Sequence, residues 1–297
     1  LKATILKKIS LPGIHSASGV EVLGERIYIV GDDSAWLYVL DLDWQAMGTI
    51  RLFDSPVPDE ARIPKLQKPD LEALTALPLG GETVLLAIGS GSRENRHDAF
   101  VVNPRTGTVQ RHSLAPLYDH LRTLPDVVGT RLLNLEGALV TGPEIVFLQR
   151  GNVSGTNVAI GFATAAFVQW LTGNGPLPGP VVRSYALPTV EGYAAGFSGA
   201  ASLPSRPGAF LFTASVEATN DEILDGDMLG SFAGIAHLDR PGDLSGQCVP
   251  ILHDGLAYPG KVESICLLSE MPDTLLTLAV TDADGGTSEL LLLEIRL

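Results

Sequence analysis

Three glutamates and two serines occupy matching places in a sequence that repeats itself. Glu72 lies in KPDLEALTAL, Glu136 in RLLNLEGAL and Glu263 in GKVESICLL, while Ser18 lies in HSASGVEVL and Ser198 in GFSGAASL. With Glu72, Glu136, Gly199 and Glu263 taken as equivalent, the steps are 64, 63 and 64 residues. Gly19 precedes Glu72 by 53, and each serine falls one residue before its glycine. Three carboxylates about 5 Å apart repel by about 3 kcal/mol per pair at an effective dielectric near 20. Brought together, they hold a cation or share protons. A hard divalent ion with about six to eight oxygen ligands suits carboxylates, hydroxyls, carbonyls and water, so calcium is the first candidate and magnesium the second. The alternative is structural, with each glutamate capping backbone amides of the neighbouring unit.

Cations accompany these acids. Lys68, Arg131 and Lys261 flank the motifs, and Arg93, Arg96 and Arg150 lie in nearby loops. Together with a metal they would grip a small anionic substrate such as a phosphate ester; without one they balance the carboxylates. Asp32, expected at the end of a strand facing the axis, is the candidate for activating a water, with Glu217 beside it in that role. Asp33, Gln149, Asn152, Asp282 and Asp284 fall in equivalent loops. The DADG stretch from Asp282 resembles a calcium loop only in part, because Val280 and Leu291 stand where ligands are needed, so it reads as a hairpin turn. There is no GxSxG, P-loop or HExxH motif, and the six histidines show no metal spacing.

Something must position these groups, and the period says what. A repeat of about 60 residues matches a four-stranded propeller blade with generous loops. Short β-rich segments separated by turn residues recur four to a unit, as in LEALTAL, TVLLAIG, DAFVVN and TVQRHSL. The last unit has only three, and the spare segment at Ala3 to Leu11 fits the gap. The expected fold is therefore an all-β, five-bladed propeller in one domain, with blades near 16–53, 70–114, 134–187, 197–253 and 261–297, the last completed by 3–11. The apolar run VAIGFATAAFVQWL from Val158 reads as a buried strand. Long loops, among them 53–69, 89–98, 114–133 and 215–230, collect on the face that carries the motifs, where binding or catalysis is expected.

Composition narrows the partners. Lys plus Arg number 20 against 34 Asp plus Glu, a formal net charge of −14, and such a field repels phosphate backbones, so no nucleic acid is expected. The longest apolar run is too short to span a bilayer. Cys248 and Cys266 give neither a disulfide framework nor metal spacing and read as buried and inert. A monomer is expected, cytoplasmic unless a signal segment has been removed.

SGVEVLGERIYIVGDDSAWLYVL resembles the first blade of the calcium-activated nucleotidases (apyrases). GKVESICLL looks like their last-blade segment, and FSGAASLP with the later Glu217 looks like their fourth-blade serine and downstream acidic turn. DLEAL and NLEGA are also similar to motifs of the phytase-like esterase propellers. The resemblance implies a five-bladed propeller whose central calcium is held by one Ser or Glu per blade, here Ser18, Glu72, Glu136, Ser198 and Glu263. The sequence departs from the nucleotidases where Ser34 and Ala35 follow Asp33, and in the loops SGSRENR and RGNVSGTN. The expected activity is a calcium-dependent hydrolase of phosphorylated or other ester substrates, with a non-catalytic binding propeller as the alternative.

Overall fold

The computed structural model describes residues 1–58, 61–129, 131–151, 157–219, 226–282 and 286–297. The architecture is all-β. Among the described residues twenty strands exceed two residues, and they fall into antiparallel groups of four taken in chain order. The first group is β2 (Ala17–Leu23), β3 (Arg26–Gly31), β4 (Trp36–Asp41) and β5 (Ala46–Arg51). The second is β6 (Leu71–Leu79), β7 (Glu82–Gly89), β8 (Asp98–Asn103) and β9 (Thr108–Ser113). The third is β10 (Leu135–Thr141), β11 (Glu144–Gln149), β12 (Asn157–Ala163) and β13 (Val181–Ala186). The fourth is β14 (Gly196–Ser202), β15 (Ala209–Glu217), β16 (Met228–His237) and β17 (Cys248–His253).

The last group, β18 (Lys261–Met271), β19 (Thr274–Asp282) and β20 (Glu289–Arg296), takes its fourth strand from the start of the chain. There β1 (Lys2–Ser10) lies antiparallel to β20, from Lys2 opposite Arg296 to Ser10 opposite Glu289. It also meets β17 in parallel at Ala3–Ile251 and Thr4–Leu252, which joins the fourth and fifth groups into one continuous sheet.

The first strands of the groups pack in a cycle: β2 beside β6, β6 beside β10, β10 beside β14, β14 beside β18 and β18 beside β2. The core follows the same order. Each of five apolar clusters fills the space between two neighbouring groups, including one between the last group and the first, where Cys266, Leu278 and Val280 meet Ala17, Val20 and Ile29. Second strands are covered on both faces and read as unbroken apolar runs, such as IVFL in β11 and AFLF in β15. Fourth strands such as β5 and β9 are mostly exposed. The fall in burial from the second strands to the fourth is what two-sided cover near the axis and solvent at the rim require.

The inner strands share one irregularity. In each, the ladder skips a single residue, between Ala17 and Gly19, Leu71 and Ala73, Leu135 and Gly137, Phe197 and Gly199, and Val262 and Ser264. The skipped residues are Ser18, Glu72, Glu136, Ser198 and Glu263. The serines themselves are thus the counterparts of the glutamates, which corrects the alignment on Gly19 and Gly199 by one residue. A β-bulge of this kind leaves its extra residue out of the ladder and re-aims its side chain. The residue after the bulge is small in every case (Gly, Ala, Gly, Gly, Ser) because the neighbouring inner strand passes close. A Cβ on Gly199 would lie 2.7 Å from Ser264 Cα, and one on Gly19 would lie 2.9 Å from Leu74 Cβ. Gly199→Ala is expected to lower stability by about 1–3 kcal/mol through overpacking, read as a fall in urea midpoint at unchanged m-value.

Two expectations fail here. The run from Val158 is a strand only to Ala163, and Thr164–Leu171 forms helix α3. Its buried residues Thr164, Phe167 and Leu171 recur at helical spacing, and Phe167 packs on Phe147 and Phe162, so a helical stripe covers the sheet where a longer strand would have none to pair with. The stretch 114–133, expected to be irregular, contains α1 (Ala115–Arg122) and the single turn α2 (Pro125–Val128), each opened by proline in its first turn. Among the described residues no helix is long and apolar enough to cross a membrane.

Candidate functional site

Five bulges on five adjacent strands gather the predicted side chains, but not equivalently. The two serines are latches. Ser18 Oγ donates to the Leu71 carbonyl and Ser198 Oγ donates to the Val262 carbonyl at 2.7 Å, in each case across to the next inner strand. The bridging role expected of the glutamates therefore falls to the hydroxyls, whose single proton is already committed.

Glu136 and Glu263 form a network with Arg150, which follows β11. The Arg150 guanidinium is 3.2 Å from Glu136 Oε2, 2.8 Å from Glu217 Oε1 and 3.9 Å from Glu263 Oε2, and it donates to Ser215 Oγ at 3.1 Å. Lys261 Nζ adds contacts of 3.0 Å to Glu217 and 2.8 Å to Glu263. Asn134 donates to the other Glu136 oxygen at 2.6 Å. Burial would raise Glu217, but Arg150 and Lys261 outweigh it and hold the carboxyl at about 2. A group so firmly ionised is a poor proton acceptor, and Glu217 is a counter-ion here rather than the base expected of it. Glu136 is pushed up to about 7, first by burial and then by Glu263, against Arg150.

The other half lies where β3 ends and β6 begins. The backbone fixes it through a relay in which Asp32 N–H donates to Ser16 O, Asp70 N–H to Asp32 O, Ser90 N–H to Asp70 O and Leu135 N–H to Ser90 O, all at 2.8–3.0 Å. Asp70 takes a left-handed φ of 56°, a conformation that Asp tolerates better than most residues. Its carboxylate meets Lys68 at 2.8 Å and Arg96 at 2.7 Å and accepts from the Ser90 and Ser92 hydroxyls. Burial favours its neutral form, yet Lys68 and Arg96 prevail and lower its pKa. Lys68 also grips Asp32 Oδ2.

Buried groups remain unsatisfied in both halves, among them Glu263 Oε2 and Arg150 Nε in the network above. Asp32 Oδ1 is buried with no hydrogen-bond partner. One oxygen each from Asp32, Asp70 and Glu72 lie within 4.8 Å of one another. Burial raises Asp32 to about 6, with Lys68 opposing and Asp33 and Asp70 reinforcing. Glu72 is raised further, by burial and then by Asp70, Glu136 and Asp32.

Of the expected anion-binding set, Lys68, Arg150 and Lys261 are engaged by carboxylates. Arg93 is half-buried in the loop after β7, and Arg131 is exposed ahead of β10. Gln149 is structural, bonding to Leu132 O, Arg150 O and Asn134 N. Asn152 and Asp284 lie outside the described residues. Asp70 escaped sequence reasoning although it stands two residues before Glu72, and the signal was the Lys68-Pro69-Asp70 triplet, a turn with an acid at its exit.

Another acid sits away from this cluster. Glu21 on β2 accepts from Ala76 N–H of the neighbouring inner strand and from Val22 N–H, both at 2.9 Å, and burial raises it to about 7 against those bonds. Its ordinary value is 4.5, so the folded chain keeps this proton through a window where the unfolded chain has lost it. The stabilisation is complete below 4.5 and declines as pH rises to about 7, by roughly 3 kcal/mol at most. Glu217 acts oppositely, its contribution present above 4.5 and lost as pH falls toward 2. Glu21→Gln is expected to flatten the fall in stability between pH 5 and 7.5 in urea titrations.

Comparison with known proteins adds a family. Residues 13–295 match the model of a family of unknown function, DUF6929. The chain belongs to that family. A comparison with curated proteins gives no match. Among solved structures, the glutaminyl cyclase of Myxococcus xanthus is similar at a TM-score of 0.52 and 10% identity, over 99% of this chain and 97% of that one. Streptogramin B lyase gives 0.42 at 12% identity, over 96% and 97%. Kuenenia stuttgartiensis hydrazine synthase gives 0.40 at 10%, over 93% of this chain, which spans 58% of that one. The glutaminyl cyclase is a β-propeller, and at that similarity it shows this fold for the DUF6929 chain and nothing about its chemistry.

Proposed function

We propose that the chain is a five-bladed propeller that hydrolyses an ester at the mouth of its channel with the help of a calcium ion. The blade count rests on the five groups of strands and on the cycle of their inner strands, with β1 completing the last group. The observation that carries the chemistry is the orphaned Asp32 Oδ1, clustered with one oxygen each of Asp70 and Glu72.

The donor set fits the ion. Six acids at the mouth (Asp32, Asp70, Glu72, Glu136, Glu217 and Glu263) face four cations (Lys68, Arg96, Arg150 and Lys261), leaving two negative charges for one divalent ion or shared protons. Asp70 and Glu72 would hold it next to Asp32, and both offer hard oxygen, which favours calcium and then magnesium. When bound, the ion would polarise an ester oxygen. Asp32, with a pKa of about 6, is ionised at neutral pH and can take a proton from water through its free oxygen. Lys68 holds the other oxygen of Asp32 and so fixes the direction of that acceptor.

A panel of carboxylic esters, lactones, phosphomonoesters and nucleotides, assayed with and without calcium, tests the reading. Turnover of at least one class is expected, dependent on calcium and reduced about 100-fold or more by Asp32→Asn. No turnover across the panel would leave the second reading, a binding propeller. The serine latches favour that alternative, since they give two of the five bulge residues a structural task.

A further inference from the structure

Beside the channel mouth is a cleft that the hydrolase reading does not use. Its floor is the Asp32-Asp33 turn, whose first residue faces the carboxylate cluster and whose second faces the cleft, and His15, Ser16, Ser34, Tyr38 and Arg62 line it. Arg62 holds Asp33 through Nε and donates from Nη2 to Ser16 Oγ at 2.8 Å. Ser34 Oγ and Tyr38 OH are 2.9 Å apart, and His15 Nδ1 is 3.4 Å from Gly286 O. Asp33 is buried, while the Arg62 side chain is 42% exposed and forms the rim.

This lining is electrically balanced and alternates donors with acceptors. A guanidinium–carboxylate pair presents N–H groups beside carboxylate oxygens, the three hydroxyls can serve either way, and Tyr38 adds an aromatic face. Such a wall suits adjacent hydroxyls on an uncharged ligand. It suits an anion poorly, because the Arg62 charge is already matched, excess negative charge lies across the turn, and the chain carries a net charge of −14. We propose that this cleft binds a neutral polyhydroxylated group, a sugar or cyclitol. Its place as the polyol part of an ester substrate rests on the hydrolase reading; its occupancy does not.

Ligand-observed NMR on the whole chain tests it, with methyl glucoside, methyl galactoside and myo-inositol as neutral probes and sulfate and acetate as anionic ones. At least one neutral probe is expected to bind at millimolar concentration, with affinity reduced about tenfold by Tyr38→Phe and by the milder Ser34→Ala, and changed less than twofold by Glu72→Gln with or without calcium. The absence of binding by every neutral probe, binding by the anions alone, or binding indifferent to both cleft substitutions overturns the proposal. The Glu72→Gln arm separates this failure from failure of the metal reading, since it disables the mouth and leaves the cleft untouched.

Discussion

Replacing Arg150 by methionine is expected to cost about 3–5 kcal/mol of folding stability, more than any surface ion pair could account for. Its guanidinium is buried among Glu136, Glu217 and Glu263, and its removal strands three acids with Lys261 as their remaining counter-ion. The deficit should depend on pH in one direction. Glu136 is already pushed up to about 7, and loss of Arg150 raises it further, so it takes up a proton as pH falls and the variant recovers relative to the parent. Urea unfolding at pH 8 and pH 5.5 should show the larger gap at pH 8. Arg150→Lys, which keeps the charge without the fork that reaches several acids, should lie between the two. Equal and small losses at both pH values would mean that the network is solvated and contributes little.

Glu72→Gln is expected to abolish the response to calcium while leaving the ion-free protein as stable as the parent or more so. The carboxylate is held well above its ordinary pKa by burial and by Asp70, Glu136 and Asp32, so its neutral isostere relieves repulsion. The parent, by contrast, should gain about 4 kcal/mol when calcium exceeds its dissociation constant a thousandfold, since an ion that binds only the folded state adds RT ln(1 + [L]/Kd). Melting curves of chelator-stripped protein with and without calcium measure both terms. A rise of equal size in parent and variant would remove Glu72 from the ion site, and a flat parent would leave the cluster to shared protons.

How far the site was legible depended on whether a feature repeats. The five bulge residues could be found because each unit places a Ser or Glu at the same point of its inner strand, and the period made them stand out. The serines came out one residue off because the glycine after each bulge is the more obvious landmark, and a bulge inserts its extra residue without any sequence mark of its own. Pairings that cross the ring do not repeat. Arg150 and Glu217 are 67 residues apart, and nothing in either segment announces the other. Basic residues near carboxylates therefore read as substrate ligands, when burial had already committed Lys68, Arg150 and Lys261 to the acids. The helix α3 was hidden for a different reason: a nearly unbroken apolar run carries little period until length and partners decide between strand and helix.

The borrowed strand β1 sets a schedule. Lys8 and its partner Glu289 are 281 residues apart, so at about 5–20 residues per second a ribosome finishes the first strand roughly 15–55 s before its antiparallel neighbour exists. Until β17 is made, for most of that interval, a β-prone segment waits with both edges open, the condition under which strands recruit the wrong partner. KATILKKIS carries three lysines among its nine residues, and lysine on an unpaired edge is a standard deterrent to such pairing. The charges that look incidental on the finished rim guard the chain before there is a rim to close.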